Sequence, residues 1–478
     1  MSITSENILS HGLTASKWVE LLNTTSAVKT KKALTYYDGN QEEEVIKLLS
    51  DPLKGRQEWQ TRGYIPRFRN ITKMIVDKSA MLFKDVLPVF NIFPPGSKTP
   101  DKSSTDKLNE YFATTELQET LQNLDTVVRL VKTGLLLVQY TPDGFIFDIL
   151  HRGNCSVIID PTTKQPDALI YQVSDDENYK TYRVITLETI YDLRSADREI
   201  IVVSAQPNPY QIIPIVPFYD TNIPRNGFWA EGGQDLVGLN ELINLHLTDA
   251  EFSMSWAIRP TLFTNCSLNA ESQTLEAIEV YGSALPRMVP AMPKVLSGPD
   301  RAVVVDSQGV DQPFIKFEAP QVDIAPVAKV ITDWLQSFAS DWSVNIKTAG
   351  SGTATSGFQL VVEEIDNLQL RQTRQRMFEA GFKRLYKVMS NILTALNEPS
   401  LPITSELYAT FQEVKLPVDI AVSESVWTER ITQGRASIVD YFMKEQGMSI
   451  EEAEKKLKEI NSYKSPEIEV INNQQEAL

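Results

Sequence analysis

Apolar residues along the chain change period several times, and the changes mark out its elements. Over 15–37, Trp18, Leu21, Leu22, Ala33 and Leu34 fall at helical spacing, and Gly39 in YYDGNQ predicts a C-cap. NITKMIVDKSAMLFKD predicts a second helix from Asn70, with Ile71, Met74, Ile75, Lys78 and Leu82 on one side, and VLPVFNIF reads as a strand behind it. Thr115 and Gln118 have capping-box spacing ahead of a third stripe, Leu117, Leu121, Leu124, Val128 and Val131. From Gly134 the apolar runs shorten. LLLVQY and FIFDIL flank Thr141-Pro142-Asp143-Gly144, a hairpin signal because Pro presets the turn and Gly accepts positive φ. CSVIID, ALIYQVS, YKTYRVITL and EIIVVSA follow closely, so 134–219 reads as an antiparallel β region.

The pattern lengthens again after PNPYQIIPIVPFYD and a turn at Asn226-Gly227. Leu236, Leu239, Ile243, Leu247, Ala250, Met254 and Ala257 trace one helical stripe, with Asp235 in the dipole-favoured first turn and Pro260 as the stop. Residues 261–320 read as a compact insert: a helix in NAESQTLEAIEVYG, then strands AVVVD and PFIKFE. Asp323 opens a helix striped by Ile324, Val327, Ile331, Leu335 and Phe338, so the two helices flanking the insert should lie side by side. Small and polar residues make 343–357 a loop. Ser356 and Gln359 then cap a helix to Asn397, with a kink expected at Gly381 and a length of roughly 60 Å at 1.5 Å rise per residue. Beyond Pro399 come a strand (EVKLPVDIAV), two helices separated by Gly447, the second opened by Ser449 and Glu452, and a tail too poor in apolar surface to pack alone.

At 478 residues the chain exceeds one ordinary core, so two to four subdomains are expected. No window approaches the ~18 apolar residues that span a bilayer. MSITSENILSHG lacks the basic-then-apolar start of a secretory signal. Cys155 and Cys266 stand in unlike contexts, which argues against a disulfide framework and for a reducing compartment during synthesis. The net charge of −16 is the wrong sign for a protein that grips DNA by its phosphates. It suits equally a conduit whose acidic wall keeps DNA from sticking and a protein that is merely kept soluble.

No enzyme motif is present. There is no G-x-x-x-x-G-K-[ST], and Gly350-Ser351-Gly352 lacks the preceding strand of a dinucleotide site. His11, His151 and His246 are far apart without Cys or His at metal spacing. The acidic pairs Glu363-Glu364 and Asp175-Asp176 read as solvated surface. No catalytic residue, metal site or cofactor is therefore expected. The most distinctive charge feature is Arg371, Arg374, Arg376, Lys383, Arg384 and Lys387 on the longest helix. These cations pair with acidic neighbours, form a basic band facing nucleic acid, or meet protein partners.

Several segments resemble, in order, the portal (head–tail connector) proteins of long-tailed bacteriophages. YYDGNQ resembles that family's tyrosine–glycine element, and NITKMIVDKSAMLFKDVLPVF its entry into the wing. IVPFYDTNIPRNGFWAEGGQDLVGLNELINLHLTDAE resembles the strand-to-stem junction, TSGFQLVVEEIDN the helix after the tunnel loop, and GMSIEEAEKKLKEI a late crown helix. Phe358 departs from the family's small residue there. The resemblance implies an α+β, mainly helical fold: wing 1–233, stem helix 234–260, clip 261–320, second stem helix 321–342, tunnel loop 343–357, long helix 358–398, crown 399–463 and tail 464–478. It implies a ring of about twelve subunits at one capsid vertex of the virion, assembled in the host cytoplasm, that passes double-stranded DNA during packaging and ejection. The implied partners are the terminase large subunit, the head–tail adaptor, and the major capsid and scaffolding proteins, with no membrane. Ser343, Val344, Asn345, Lys347 and Thr348 would then face DNA, and Leu239, Ile243, Leu247 and Ala250 would form the subunit seam. Another virion or inner-capsid protein, or an enzyme of unrecognised type, is the competing reading.

Overall fold

The computed structural model describes residues 8–51, 59–60, 64–84, 86–176, 179–196, 199–220, 227–258, parts of 261–318, 325–344, 357–398, 401–412, 427–446 and 450–463. The chain divides into two compact units, Met1–Ala349 with Asp366–Gln412, and Gly350–Ile365 with Glu413–Leu478.

The first unit begins with the short pair β1 (Ile8–Ser10) and β2 (Leu13–Thr14), followed by helices. The helix expected over 15–37 is two helices, α1 (Ala15–Glu20) and α2 (Thr25–Asp38). Thr24 breaks it by going extended and accepting a hydrogen bond from Ala27 N–H. Gly39 ends α2 at φ 88°, the left-handed C-cap its position predicts. After α3 (Glu42–Ser50), Asn70 caps α4 (Ile71–Ser79), which stops short of Leu82. Strand β3 (Val89–Phe93) leads to α5 (Lys102–Ala113), which the apolar pattern did not disclose. Next comes α6 (Leu117–Val131), whose stripe is buried throughout. Its predicted capping box does not form. Glu116 holds the cap position, and the Thr115 hydroxyl donates instead to Phe112 O at the end of α5.

The β region takes the antiparallel form expected. Strands β4 (Thr133–Thr141), β5 (Gly144–Leu150), β6 (Cys155–Ile159), β7 (Pro166–Asp175), β8 (Lys180–Thr186), β9 (Thr189–Ala196), β10 (Glu199–Pro207) and β11 (Ile215–Tyr219) divide between two sheets. One is three-stranded in the order β11-β4-β5, the other five-stranded in the order β10-β9-β8-β7-β6. The continuous apolar run of β4 is explained by burial on both faces: Leu136 and Val138 enter one core, Leu135 and Leu137 another.

Helix α7 (Gln234–Ile258) packs beside α8 (Ala325–Asp341), and together with α2 and α4 they enclose a core that includes Tyr36, Ile75, Leu236, Ile243 and Trp342. Within the insert the described residues form strand pairs only, β12 (Thr261–Thr264), β13 (Ser267–Leu268), β14 (Leu275–Ile278), β15 (Arg287–Pro290), β16 (Val305–Asp306) and β17 (Ile315–Glu318). The helix expected in 269–282 is corrected by β14, which pairs with β15. Tertiary pairing overrides the helical propensity of Leu275-Glu276-Ala277.

Helix α9 (Gly357–Ala395) is the longest element. Its Phe378, Phe382, Leu385, Tyr386 and Met389 fill the largest core, against Phe83, Phe90, Leu121 and Phe218. Gly381 sits where the helix crosses Phe218, and a Cβ there would overlap that ring. Close packing accounts for this glycine. Strand β18 (Glu406–Thr410) closes the first unit by pairing with β3, hidden in the sequence as the short alternation ELYAT. The second unit contains α10 (Ile438–Gln446) and α11 (Ile450–Tyr463). The predicted strand EVKLPVDIAV, the tail, Cys266, Pro260 and the caps at Ser356 and Ser449 lie outside the described residues.

Candidate functional site

A buried ionic cluster joins the end of α8 to the middle of α9, the helices on either side of the loop predicted at 343–357. Asp220, directly after β11, lies at the centre. It accepts from Arg129 Nη1 (2.9 Å), Lys132 Nζ (2.8 Å) and Arg374 Nε (2.6 Å). Arg374, on α9, also donates from Nη2 to Asp125 Oδ1 (2.6 Å) and from Nη1 to Ser79 O (3.1 Å). Arg129 reaches Ser79 Oγ (3.0 Å) and, through Nη2, the carbonyl of Trp342 (2.7 Å). The side chains of Arg374, Asp125 and Asp220 are 1–2% exposed, so the bonds form away from water.

Three cations face two carboxylates in this cluster. Burial by itself would raise the Asp220 carboxyl, but the charges of Arg374, Arg129 and Lys132 hold it down at about 2. The Trp342 ring spreads the remaining positive charge: Arg129 lies 4.5 Å and Lys132 4.2 Å from its centroid. Trp342 Nε1 also donates to Asp235 at the start of α7 (2.8 Å). The cluster thus joins α4, α6, α7, β11, α9 and the end of α8 at one point.

Of the predicted DNA-facing residues, Ser343 takes φ 55° and closes α8 by donating to Ser340 O (2.8 Å). Val344 turns inward and is 4% exposed in the core shared by α7 and α8. Asn345, Lys347 and Thr348 lie outside the described residues.

The six cations of the candidate basic band do not share one face. Arg374 is removed from it by burial, the ion-pairing alternative. Lys383 lies 3.6 Å from Glu406 and over the Tyr408 ring. Arg371 is half-buried, Arg376 exposed, and Arg384 and Lys387 face a cleft beside β11.

The predicted seam also divides. Leu239 and Ile243 are 3% and 1% exposed within their own subunit's core, so they are not a free face, while Leu247 and Ala250 are half-buried. The apolar side chains left in water are Leu242 and Met254 on α7 and Val327 and Val330 on α8. The apolar stripe alone cannot tell an intrachain partner from a neighbouring subunit.

Periodicity also missed a polar row on α7: Asn240, Asn244 and Thr248, four residues apart and fully buried. Asn240 Oδ1 accepts from Ile71 N (2.8 Å) and Thr72 N (3.0 Å), Asn244 Oδ1 from Arg69 N (2.8 Å), and Thr248 Oγ1 from Arg67 N (3.0 Å). The Nδ2 groups of both asparagines donate to Gln41 Oε1. The row satisfies the backbone that enters α4. Its signal was present in the sequence as short polar residues at i, i+4, i+8.

His246 packs against Trp334, its ring 5.5 Å away. His151 is half-buried, and its Nδ1 accepts from Gly153 N–H. Burial, with the charge of Lys31, pushes it down to about 4. Cys155 is buried and unpaired. Among the described residues no group of His, Cys, Asp and Glu could hold a metal ion, and no helix is long and apolar enough to cross a membrane.

The family model "Phage portal protein, SPP1 Gp6-like" matches residues 153–477. No curated protein matches the chain. Among solved structures the chain is similar to one described as "Neck of empty GTA particle computed with C6 symmetry". The identity is 12% and the TM-score 0.42, over 81% of this chain and 92% of that one.

Proposed function

The chain belongs to the SPP1 Gp6-like family of phage portal proteins, a bacteriophage virion component of the head–tail connector, and on that premise we propose how it serves there. Copies close into a ring, with α7 and α8 of adjacent subunits in contact. Double-stranded DNA passes through the central hole during packaging and ejection. The segment 345–356 projects toward the axis from each subunit and meets the DNA. A packaging motor docks on the ring and supplies the energy, and a head–tail adaptor later replaces it.

The observation that supports this reading is the buried cluster, which receives Trp342 ahead of the segment and Arg374 behind it. A loop that contacts a moving polymer needs a rigid base, and six elements meet where α8 ends and α9 passes at Arg374. Deleting Ala349 to Ala354 tests it, because loop-closure entropy changes only slowly with length and both flanks keep their partners. The deletion variant should form normal rings, seen by negative stain, but package or retain DNA poorly. A variant that packages and holds a full genome normally would refute the loop's role.

A further inference from the structure

Beside β11 lies a cleft of about 610 Å³, a size that accommodates a few side chains of a peptide. One wall is α9, where Arg384, Lys387, Val388 and Asn391 recur at the i, i+3, i+4, i+7 spacing of a single helix face. Phe378, Phe382, Leu385, Tyr386 and Met389 of α9 fill the large core and Val388 packs at its edge, while Arg384, Lys387 and Asn391 lie outside it. The other wall is the turn from β6 to β7. Asp160 builds that turn by accepting from Thr162 N (2.8 Å) and Thr163 Oγ1 (2.7 Å), and Lys164 stands at φ 59° on its tip. Ile212, Ile213, Ile215, Tyr219 and Phe228 form the floor, and Leu187 stands at the edge, 42% exposed.

The charges around this floor are unequal in their freedom. Two carboxylates lie at the cleft, Asp160 held within its turn and Asp167 3.5 Å from His11 Nδ1, and three cations outnumber them. Among the described residues the ammonium groups of Lys164 and Lys387 have no hydrogen-bond or ion-pair partner, and Arg384 uses one nitrogen on Pro217 O (3.2 Å). Three cations thus ring an apolar floor in a chain of net charge −16. A net charge of −16 disfavours an acidic partner in general, and these three cations favour one locally. Duplex DNA fits poorly, because it carries no apolar group for the floor.

We propose that this cleft docks an acidic peptide segment of a partner protein, which sets an apolar side chain between α9 and β11 and its carboxylates against Lys164, Arg384 and Lys387. The proposal stands independently of the route taken by DNA.

Fluorescence anisotropy on the intact protein tests it, with a short labelled peptide of Glu and Asp around a central Leu-Phe pair. The controls are the same peptide with Ser-Ser at its centre and a labelled DNA duplex. The double variant Lys164→Glu/Lys387→Glu should weaken the Leu-Phe peptide roughly tenfold, since reversed rim charges act on encounter and on salt dependence. Leu187→Ser should weaken it without changing its salt dependence, and the Ser-Ser peptide should bind poorly to every form. Thermal melts confirm that the variants fold, because all three positions lie on the surface. Unchanged peptide binding in the double variant overturns the proposal. So does a duplex that binds as well as the peptide and is lost with the same charges, which would make the cleft a nucleic-acid contact. Loss of self-association in sedimentation, with peptide binding intact, would make it an interface between copies and equally overturn it.

Discussion

Arg374 Nε donates to Asp220 Oδ1 across 2.6 Å, joining the longest helix to the residue that ends the three-stranded sheet. Neither side chain is more than 2% exposed. A buried pair of this kind adds little relative to apolar packing, but removing one partner leaves charge without compensation. Asp220→Asn would leave three cations facing Asp125 alone. The loss should be about 3 kcal/mol or more at neutral pH, measured by urea unfolding. The pH dependence has a definite sign. The folded carboxyl is held at about 2, below its ordinary 3.8, so its contribution is complete above pH 3.8 and fades as pH falls toward 2. The stability gap between wild type and Asp220→Asn should therefore narrow in that window. A gap unchanged across it would mean that Asp220 is not ionised in the cluster.

Gly381→Ala sets propensity against packing. In an open helix the change gains about 1 kcal/mol. Here the new methyl would enter the ring of Phe218, itself packed between Phe378 and Phe382. Overpacking of this kind costs about 1–3 kcal/mol, so the net effect should be a lowered melting temperature. A raised one would show that the crossing of α9 over β11 has room to spare.

Asn240→Leu should destabilise the first unit by about 3 kcal/mol, because the Ile71 and Thr72 N–H groups lose their shared acceptor inside the protein. Hydrogen exchange gives a local readout. The amides of Ile71 and Thr72 should lose protection in the variant, while those of β8 and β9 keep theirs. Equal loss in both places would mean global destabilisation rather than release of this entry to α4.

Two neighbouring substitutions on α7 separate folding from assembly. Ile243→Asp buries an unpaired charge among Tyr36, Ile75 and Ala339 and should prevent stable folding of the subunit. Leu242→Asp, at a position 39% exposed, should leave the melting temperature of the isolated subunit nearly unchanged but reduce ring formation. Sedimentation would show the difference. Normal rings from Leu242→Asp would place the subunit contact away from this face.

Local patterning was enough to locate most elements. The apolar period of three and four found α6, α7 and α8, Gly39 marked a helix end by its capping chemistry, and the Pro-Asp-Gly turn placed the β4–β5 hairpin. These are short-range effects, decided by residues within one or two turns of one another. Thr115 shows their limit, since its hydroxyl had two local uses and the end of α5 took it. The candidate site was far less legible. Arg374 and Asp220 are 154 residues apart, and nothing in either neighbourhood distinguishes a buried arginine from one facing solvent or DNA. Ile243 and Leu242 are adjacent and similarly apolar, yet one is core and the other surface, because only the packing of α2, α4 and α8 around α7 decides which side of the helix is inside. Sequence by itself determined most of the elements and the family they compose. The tertiary structure alone decided which charges pair and which apolar faces remain open, because desolvation and charge compensation depend on neighbours that the chain brings together only when folded.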